Sequence, residues 1–178
     1  MNFNQLKLKI KIFFLLLFRR IKRISSSIEM NSSGHESRNV LLILPFDESM
    51  FRVSAYSLRH LDVFSSSNFF FVISESNKDV FYRIKGETFF VQVSQKGELV
   101  NGSQLSGFLN KYNFDMIVNF NINFNLSLSR MISRCNAPYK VGFKSDYSDI
   151  FYNFQLDLSK SGTIEKGFLR VKQLISSI

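Results

Sequence analysis

Two adjacent carboxylates, Asp47 and Glu48, follow an apolar run that closes at Pro45. A carboxylate in that place could act as a general base, provided it reaches an acceptor hydroxyl within hydrogen-bond distance. The same pair equally suits a solvated loop. A second polar group, Ser145, Asp146, Tyr147 and Asp149, could line an acceptor pocket or form an ordinary surface loop. Asp115 opens a later apolar run, where strand-entry or turn geometry is the simpler role. Cys135 is the one cysteine and has no histidine near it in sequence, so it reads as core rather than nucleophile. His35 and His60 are the two histidines, and His60 suits a helix end. Neither a histidine-driven triad nor a metal site is expected, and a disulfide framework is excluded.

The elements that must position these residues alternate in type. Val40–Leu44, Phe69–Ile73, Thr88–Val93, Asp115–Asn119 and Tyr139–Phe143 are short apolar runs that predict strands, with Phe151–Leu156 a sixth. Between them, Phe51, Ala55, Leu58 and Leu61 recur at helical spacing. Lys78–Ile84 predicts a short helix, Ser103 an N-cap for Gln104–Tyr112, and Leu126–Arg134 a further helix. Thr163 opens a last helix with Ile164, Phe168, Val171 and Leu174–Ile175 facing inward. Continuous apolar strands separated by helices predict an α/β, Rossmann-like domain with a mostly parallel sheet covered on both faces. Val40–Leu44 and Asp115–Asn119 should lie near its centre.

Nucleotide binding on such a sheet needs glycines after the first strand, where backbone approaches phosphate. The sequence there is Pro45-Phe46-Asp47-Glu48-Ser49, with no glycine and two charges that repel a pyrophosphate. No cofactor is expected. Ligands of open parallel sheets sit beyond the carboxyl ends of the strands. That directs attention to Pro45–Ser49, Ser74–Asn77, Phe120–Asn125 and Phe143–Asp149.

The chain has 178 residues and a net charge of +9, enough for one domain and a short extension. The charge is concentrated: Lys7, Lys9, Lys11, Arg19, Arg20, Lys22 and Arg23 precede the first acid, Glu29. The remainder is close to balanced and carries no nucleic-acid-binding signature, so no nucleic-acid partner is expected. Residues 10–18 are almost wholly apolar, but nine helical residues rise only about 13–14 Å against a hydrocarbon core of roughly 30 Å. Arg19, Arg20, Lys22 and Arg23 stand where a signal peptide would have small residues. On a helical projection Leu6, Ile10, Phe13, Phe14, Leu17, Ile21 and Ile24 share one face. The basic residues mostly take the other, interrupted by Leu8, Ile12 and Leu15. This predicts an interfacial helix on an anionic membrane, with Ile10, Phe13, Phe14, Leu17, Arg19, Arg20, Lys22 and Arg23 in contact. The alternative is a helix docked on its own domain. The expected organisation is a membrane-surface helix over 1–25, a polar linker over 26–39 and the α/β domain over 40–178.

Three further segments carry a resemblance. Phe114-Asp115-Met116-Ile117-Val118-Asn119-Phe120, then Ala137-Pro138-Tyr139-Lys140-Val141-Gly142-Phe143, then Phe151-Tyr152-Asn153, resemble the N-terminal, acceptor-side half of glycosyltransferase family 9. That family includes the ADP-heptose:lipopolysaccharide heptosyltransferases. Residues 40–61, ending in Ser57-Leu58-Arg59-His60-Leu61, resemble its first strand and helix, and the likeness covers roughly residues 40–175. Small Bacteroidetes proteins of similar length carry the same pieces, including a basic N-terminal helix. The resemblance implies a bacterial chain with one half of a two-lobed GT-B architecture, whose other lobe binds the nucleotide sugar; this chain ends at Ile178. It also implies a catalytic aspartate early in the first helix, where this sequence has Met50, preceded by Ser49 in place of glycine. Asp47 or Glu48 could substitute only in a shifted register. The expectation is a glycosyltransferase-like protein, non-catalytic alone, cytoplasmic and peripheral to the inner membrane, binding a partner or a sugar-like ligand. The alternative is a heptosyltransferase-type enzyme completed by a separate donor-binding lobe.

Overall fold

Each apolar run is too short to span a domain alone and too continuous to leave one face wet, so the runs pair side by side under helices. The computed structural model describes residues 3–21, 38–59, 61, 67–81, 85–94, 97–160 and 162–177. Its six strands are β1 (Asn39–Ile43), β2 (Asn68–Ser74), β3 (Glu87–Val91), β4 (Met116–Asn119), β5 (Tyr139–Phe143) and β6 (Phe154–Leu156). They form one sheet in the order β3-β2-β1-β4-β5-β6, with every neighbouring pair parallel. β1 and β4 are the central pair, with Leu41 beside Ile117 and Ile43 beside Asn119. The chain builds outward from β1 to β3, then returns to the other side of β1. The strand order therefore reverses between β1 and β4.

The helices are α1 (Phe3–Leu17), α2 (Glu48–Ser57), α3 (Gly102–Lys111), α4 (Leu126–Arg134), α5 (Ser148–Phe151) and α6 (Ile164–Ser177). Strand alternation sends Leu41, Ile43, Phe70, Val72 and Ile117 toward the layer built by α1, α3, α4 and α5. Val40, Leu42, Phe71, Ile73, Met116 and Val118 face the other layer, closed by Phe51 of α2 and by Phe168, Val171 and Ile175 of α6. This is the expected Rossmann-like α/β domain with a central parallel β1–β4 pair.

Several local expectations shift. α2 begins at Glu48, three residues before Phe51, because Asp47 caps it. Of the helix expected over Lys78–Ile84, Lys78–Val80 belong to a 3-10 turn over Glu75–Val80, and residues 82–84 lie outside the described residues. α3 starts at Gly102, and Ser103 is inside it. The residue at its cap, Asn101, spends its side chain on Gln92 N (2.9 Å) and Phe90 O (3.2 Å). Phe151 belongs to α5 rather than to a sixth strand, and Ile164 is exposed instead of facing inward. His60 and His35 lie outside the described residues.

α1 is docked on the domain while keeping an outward apolar face. Ile12 and Leu15 are buried and Leu8 and Leu16 half-buried against the α3–α4 layer, so the residues that interrupt the basic side are the docking stripe. Leu6, Ile10, Phe13, Phe14, Leu17 and Phe18 remain 39–66% exposed. Arg19 closes the helix at φ 52°, with Arg19 N on Leu16 O (3.0 Å) and Arg20 N on Leu15 O (2.9 Å). That is a Schellman closure with arginine where glycine is usual. It turns Ile21 back into the core, against its expected place on the outer face. Lys22, Arg23 and Ile24 lie outside the described residues, as does most of the linker expected over 26–39.

The segments that carry the family resemblance have structural work to do. Asp115 Oδ2 accepts a hydrogen bond from Asn39 N (2.8 Å), tying the entry of β1 to β4. A side chain at Gly142 would meet the Tyr152 ring at 2.8 Å, so glycine makes room for that ring over β5. The Tyr152 hydroxyl accepts from Asn119 Nδ2 (2.8 Å) and lies 3.1 Å from Ser129 Oγ. Asn153 accepts from Lys140 N (2.8 Å) and donates to Pro138 O (2.6 Å). Losing the hydroxyl strands a buried amide, at a cost of about 1–3 kcal/mol, and an added methyl overpacks the ring by a similar amount. Urea denaturation should therefore show Tyr152→Phe and Gly142→Ala each lowering the midpoint. Unchanged midpoints in both would refute this role.

Candidate functional site

A parallel sheet offers its ligand crevice where the strand order reverses, beyond the carboxyl ends of β1 and β4. The loop 44–47 after β1 and the loop 120–125 after β4 flank that point, and the turn after β2 approaches it from the side. Asp115 and Cys135 are at the opposite end of the sheet, where β4 and β5 begin. Cys135 is buried in the core, and burial pushes its thiol up. Beside it, Lys140 Nζ donates to Ser133 O (3.1 Å), and burial pushes that ammonium down. Neither group faces the crevice.

At the crevice, Asp47 is the N-cap of α2. Its Oδ1 accepts from Met50 N (3.0 Å) and from Ser49 Oγ (2.6 Å). The Ser49 hydroxyl and the Met50 amide together hold the carboxyl below the ordinary aspartate range. Met50, at the position where the resemblance implies a catalytic aspartate, supplies the backbone donor of this cap. Glu48 turns along the helix surface to Arg52, with Nη2 at 2.6 Å and Nε at 3.1 Å. Both carboxylates are exposed, and both have partners.

Asparagines take over the crevice between them. Asn121 accepts from Phe46 N (2.9 Å) and donates to Leu44 O (3.2 Å), so one side chain satisfies the backbone of the loop after β1. It also donates to Asn119 Oδ1 (2.9 Å), which joins this clamp to the Tyr152–Ser129 pair. From the other side Asn77, fully buried, points its Nδ2 at Phe46 O (3.3 Å) and Pro45 O (3.4 Å). Burial holds the Tyr152 phenol above its ordinary value, so the network stays neutral across the physiological range. Sequence reasoning did not single out Asn77 or Asn121 for this role. Their partners lie 31 to 77 residues away.

The polar loop after β5 is tied internally. Ser145 N donates to Ser148 Oγ (2.9 Å), and Gln155 Nε2 donates to Asp149 (2.8 Å). Tyr147 packs on Phe124, and Asp146 is exposed. Two buried acceptors at this end of the sheet, Asn77 Oδ1 and Ser145 Oγ, have no partner among the described residues. The rim is thus rich in amides and hydroxyls, while Asp47, Glu48 and Asp149 each have a hydrogen-bond partner. Such a surface can hydrogen-bond hydroxyl groups. Asp146, exposed in the loop after β5, is a rim carboxylate with no such partner among the described residues. Among the described residues no group of three or more histidine, cysteine, aspartate or glutamate side chains is gathered as a metal would require.

No family model matches the sequence, and a comparison with curated proteins finds no match. Solved structures do match the fold. A glycosyl transferase family 9 protein from Veillonella parvula superposes with a TM-score of 0.60 at 14% identity, over 85% of this chain and 43% of its own. The E. coli heptosyltransferase WaaC, solved with ADP, gives 0.57 at 12% identity over 76% of this chain and 47% of its own. The E. coli ADP-heptose lipopolysaccharide heptosyltransferase II gives 0.58 at 12% identity, over 75% and 40%. The chain spans less than half the length of each. It is thus similar in fold to one part of these proteins.

The geometry assigns Asp47 a capping role that can be measured. Asp47→Ala should lower stability by about 1 kcal/mol, whereas Asp47→Asn, which keeps an acceptor oxygen, should cost little. Because the folded carboxyl lies below the ordinary value of 3.8, its contribution is complete above that pH and is lost as pH falls further. Acid titrations of the wild type and Asp47→Asn should diverge only below about pH 4. Divergence near neutrality would contradict the cap.

Proposed function

We propose that this chain is a glycosyltransferase-like module without transferase activity of its own, which binds a sugar-like ligand or a protein partner at a membrane surface. The observation that carries the reading is the commitment of both carboxylates at the strand switch, Asp47 to a helix cap and Glu48 to Arg52. A general base must accept a proton from its substrate, and a carboxylate stabilised in its ionised form by a cap is a weak acceptor. Hydroxyl recognition is supported by the amides and hydroxyls that cluster at this end of the sheet. Surface binding is supported by the outward apolar face of α1 and by the five cations, with no acid, between residues 3 and 21. Among the described residues no helix is long and apolar enough to cross a membrane.

A second reading is favoured by one observation, the 40–47% share of the matched proteins that this fold accounts for. In it, the chain is the acceptor-side half of a heptosyltransferase-type enzyme whose nucleotide-sugar lobe is a separate partner. Holding donor and acceptor together can supply about 7–11 kcal/mol of a barrier, so a transferase without its donor lobe should be inert.

Nucleotide release from several nucleotide sugars, ADP-sugars among them, distinguishes these readings. The isolated chain should match buffer with every acceptor tried. Turnover that vanishes in the Asp47→Asn, Glu48→Gln double variant would overturn the non-catalytic reading. Release that starts only when a donor-binding lobe is added would establish the second.

A further inference from the structure

We infer that Arg20, Arg130 and Arg134 form a site for the phosphate of an anionic phospholipid headgroup, by which the folded domain grips the membrane while the outer face of α1 enters the interface. The inference rests on the membrane-surface reading above and adds a site built by the domain itself.

Arg130 projects from the middle of α4, half-buried, and its Nε is buried without a hydrogen-bond partner among the described residues. Arg134, one turn further along α4, and Arg20, just past the end of α1, are exposed. Arg130 and Arg134 are four residues apart on α4 and so share a face, and Ile21, next to Arg20, belongs to the same core cluster as Leu128 and Ile132 of α4. Consistent with that, burial and, to a smaller extent, the charges of Arg134 and Arg20 push the Arg130 guanidinium down. Among the described residues Arg20, Arg130 and Arg134 pair with no carboxylate, whereas Arg52 pairs with Glu48, Lys111 with Glu87 and Lys144 with Asp157. Arg134 in the last turn of α4 offsets the helix dipole, which accounts for one of the three charges. The other two remain unexplained by packing.

Gathered guanidinium groups repel one another until an anion arrives, and their planar donor forks match phosphate oxygens. Position selects the source of that phosphate. Arg20 follows the exposed Leu17 and Phe18, so the cluster borders the apolar face where Phe13 and Phe14 stand outward. A phosphate held there would sit at the level of the headgroups, with the aromatic and aliphatic side chains reaching below it. Because Ile12, Leu15 and Ile21 fix α1 to the core, this arrangement would set the orientation of the whole domain and not merely tether it.

Vesicle co-sedimentation of the full chain tests the idea, using phosphatidylcholine alone and phosphatidylcholine with phosphatidylglycerol. The wild type should prefer the anionic vesicles. Arg130→Gln should weaken that binding about fivefold, the effect of one basic residue at an anionic surface. Arg130→Lys should weaken it as much, since it keeps the charge but loses the fork, and neither variant should change the small binding to phosphatidylcholine alone. If Arg130→Lys binds like the wild type while Arg130→Gln does not, attraction is diffuse and the site is refuted, although the membrane reading survives. If the wild type ignores anionic vesicles, or a Phe13→Ser, Phe14→Ser variant binds them as well as the wild type does, the membrane reading itself fails. Vesicle binding unchanged in Arg130→Gln would refute the lipid site, and inorganic phosphate that at fixed ionic strength raises the melting temperature of the wild type but not of Arg130→Gln would assign it to free phosphate instead. Concentration-dependent dimerisation abolished by Phe14→Ser, without vesicle binding, would assign the face to a second copy of the chain. Thermal melting of each variant checks that the fold is intact.

Discussion

The pairing of β1 with β4 is the constraint on which the rest depends. Both strands are buried on both faces, so no side chain between Val40 and Ile43, or between Met116 and Val118, can be polar without a partner. The backbone groups at the two ends of the pair must still be satisfied. At the entry, Asp115 takes the amide of Asn39. At the exit, Asn121 takes the amide of Phe46 and the carbonyl of Leu44, and Asn119 passes the network on to Tyr152. Polar residues therefore cluster at the strand ends as a consequence of burial. The crevice at the order reversal inherits them, and in this chain they hold the loop after β1 in place.

Packing and backbone pairing alone are therefore enough to account for the likeness in fold to part of these transferases. Phe114–Asp115, Lys140–Val141–Gly142 and Tyr152–Asn153 are the segments by which the likeness is seen in the sequence, and each has a packing or backbone role. Phe114 lies edge-on to Phe70, Gly142 yields space to Tyr152, and Asn153 pairs with the backbone of β5. Residues that build a strand switch say which ligand position the fold offers. They do not say whether a base stands there. In this chain the position expected to carry the aspartate is Met50, and the nearest carboxylate accepts its backbone hydrogen bond.

Much of the architecture was legible because burial writes itself into continuous apolar runs. Val40–Leu44, Phe69–Ile73, Asp115–Asn119 and Tyr139–Phe143 predict their strands to within a residue or so. Contacts between residues distant in sequence left no such mark. Asn77 and Asn121 look like ordinary loop asparagines, and only the fold brings them to the same loop. Asn101 has the composition of a cap, yet the strand beside it claims its side chain. Short elements were also illegible: four residues of α5 cannot show a period. The catalytic and membrane assignments read from sequence stand as proposals, since residue type alone does not reveal which partners a carboxylate or an arginine has.

The N-terminal helix carries the instructive ambiguity. A helix apolar on one side reads as either docked or membrane-bound, and the projection alone favours whichever face is larger. Here Leu8, Ile12 and Leu15 form a narrow second stripe, and that stripe is enough to seat the helix on the α3–α4 layer. The wider face is then left to solvent in the free chain, with six large apolar side chains between Leu6 and Phe18. Exposed apolar area of this kind costs solubility unless something covers it. Docking fixes the direction in which the face points, and it seats Ile21 in the core cluster that also holds Leu128 and Ile132 of α4. A helix joined only by a flexible linker would bring neither property. The two readings of this segment are thus compatible: its attachment to the domain is what would make an insertion into lipid directional.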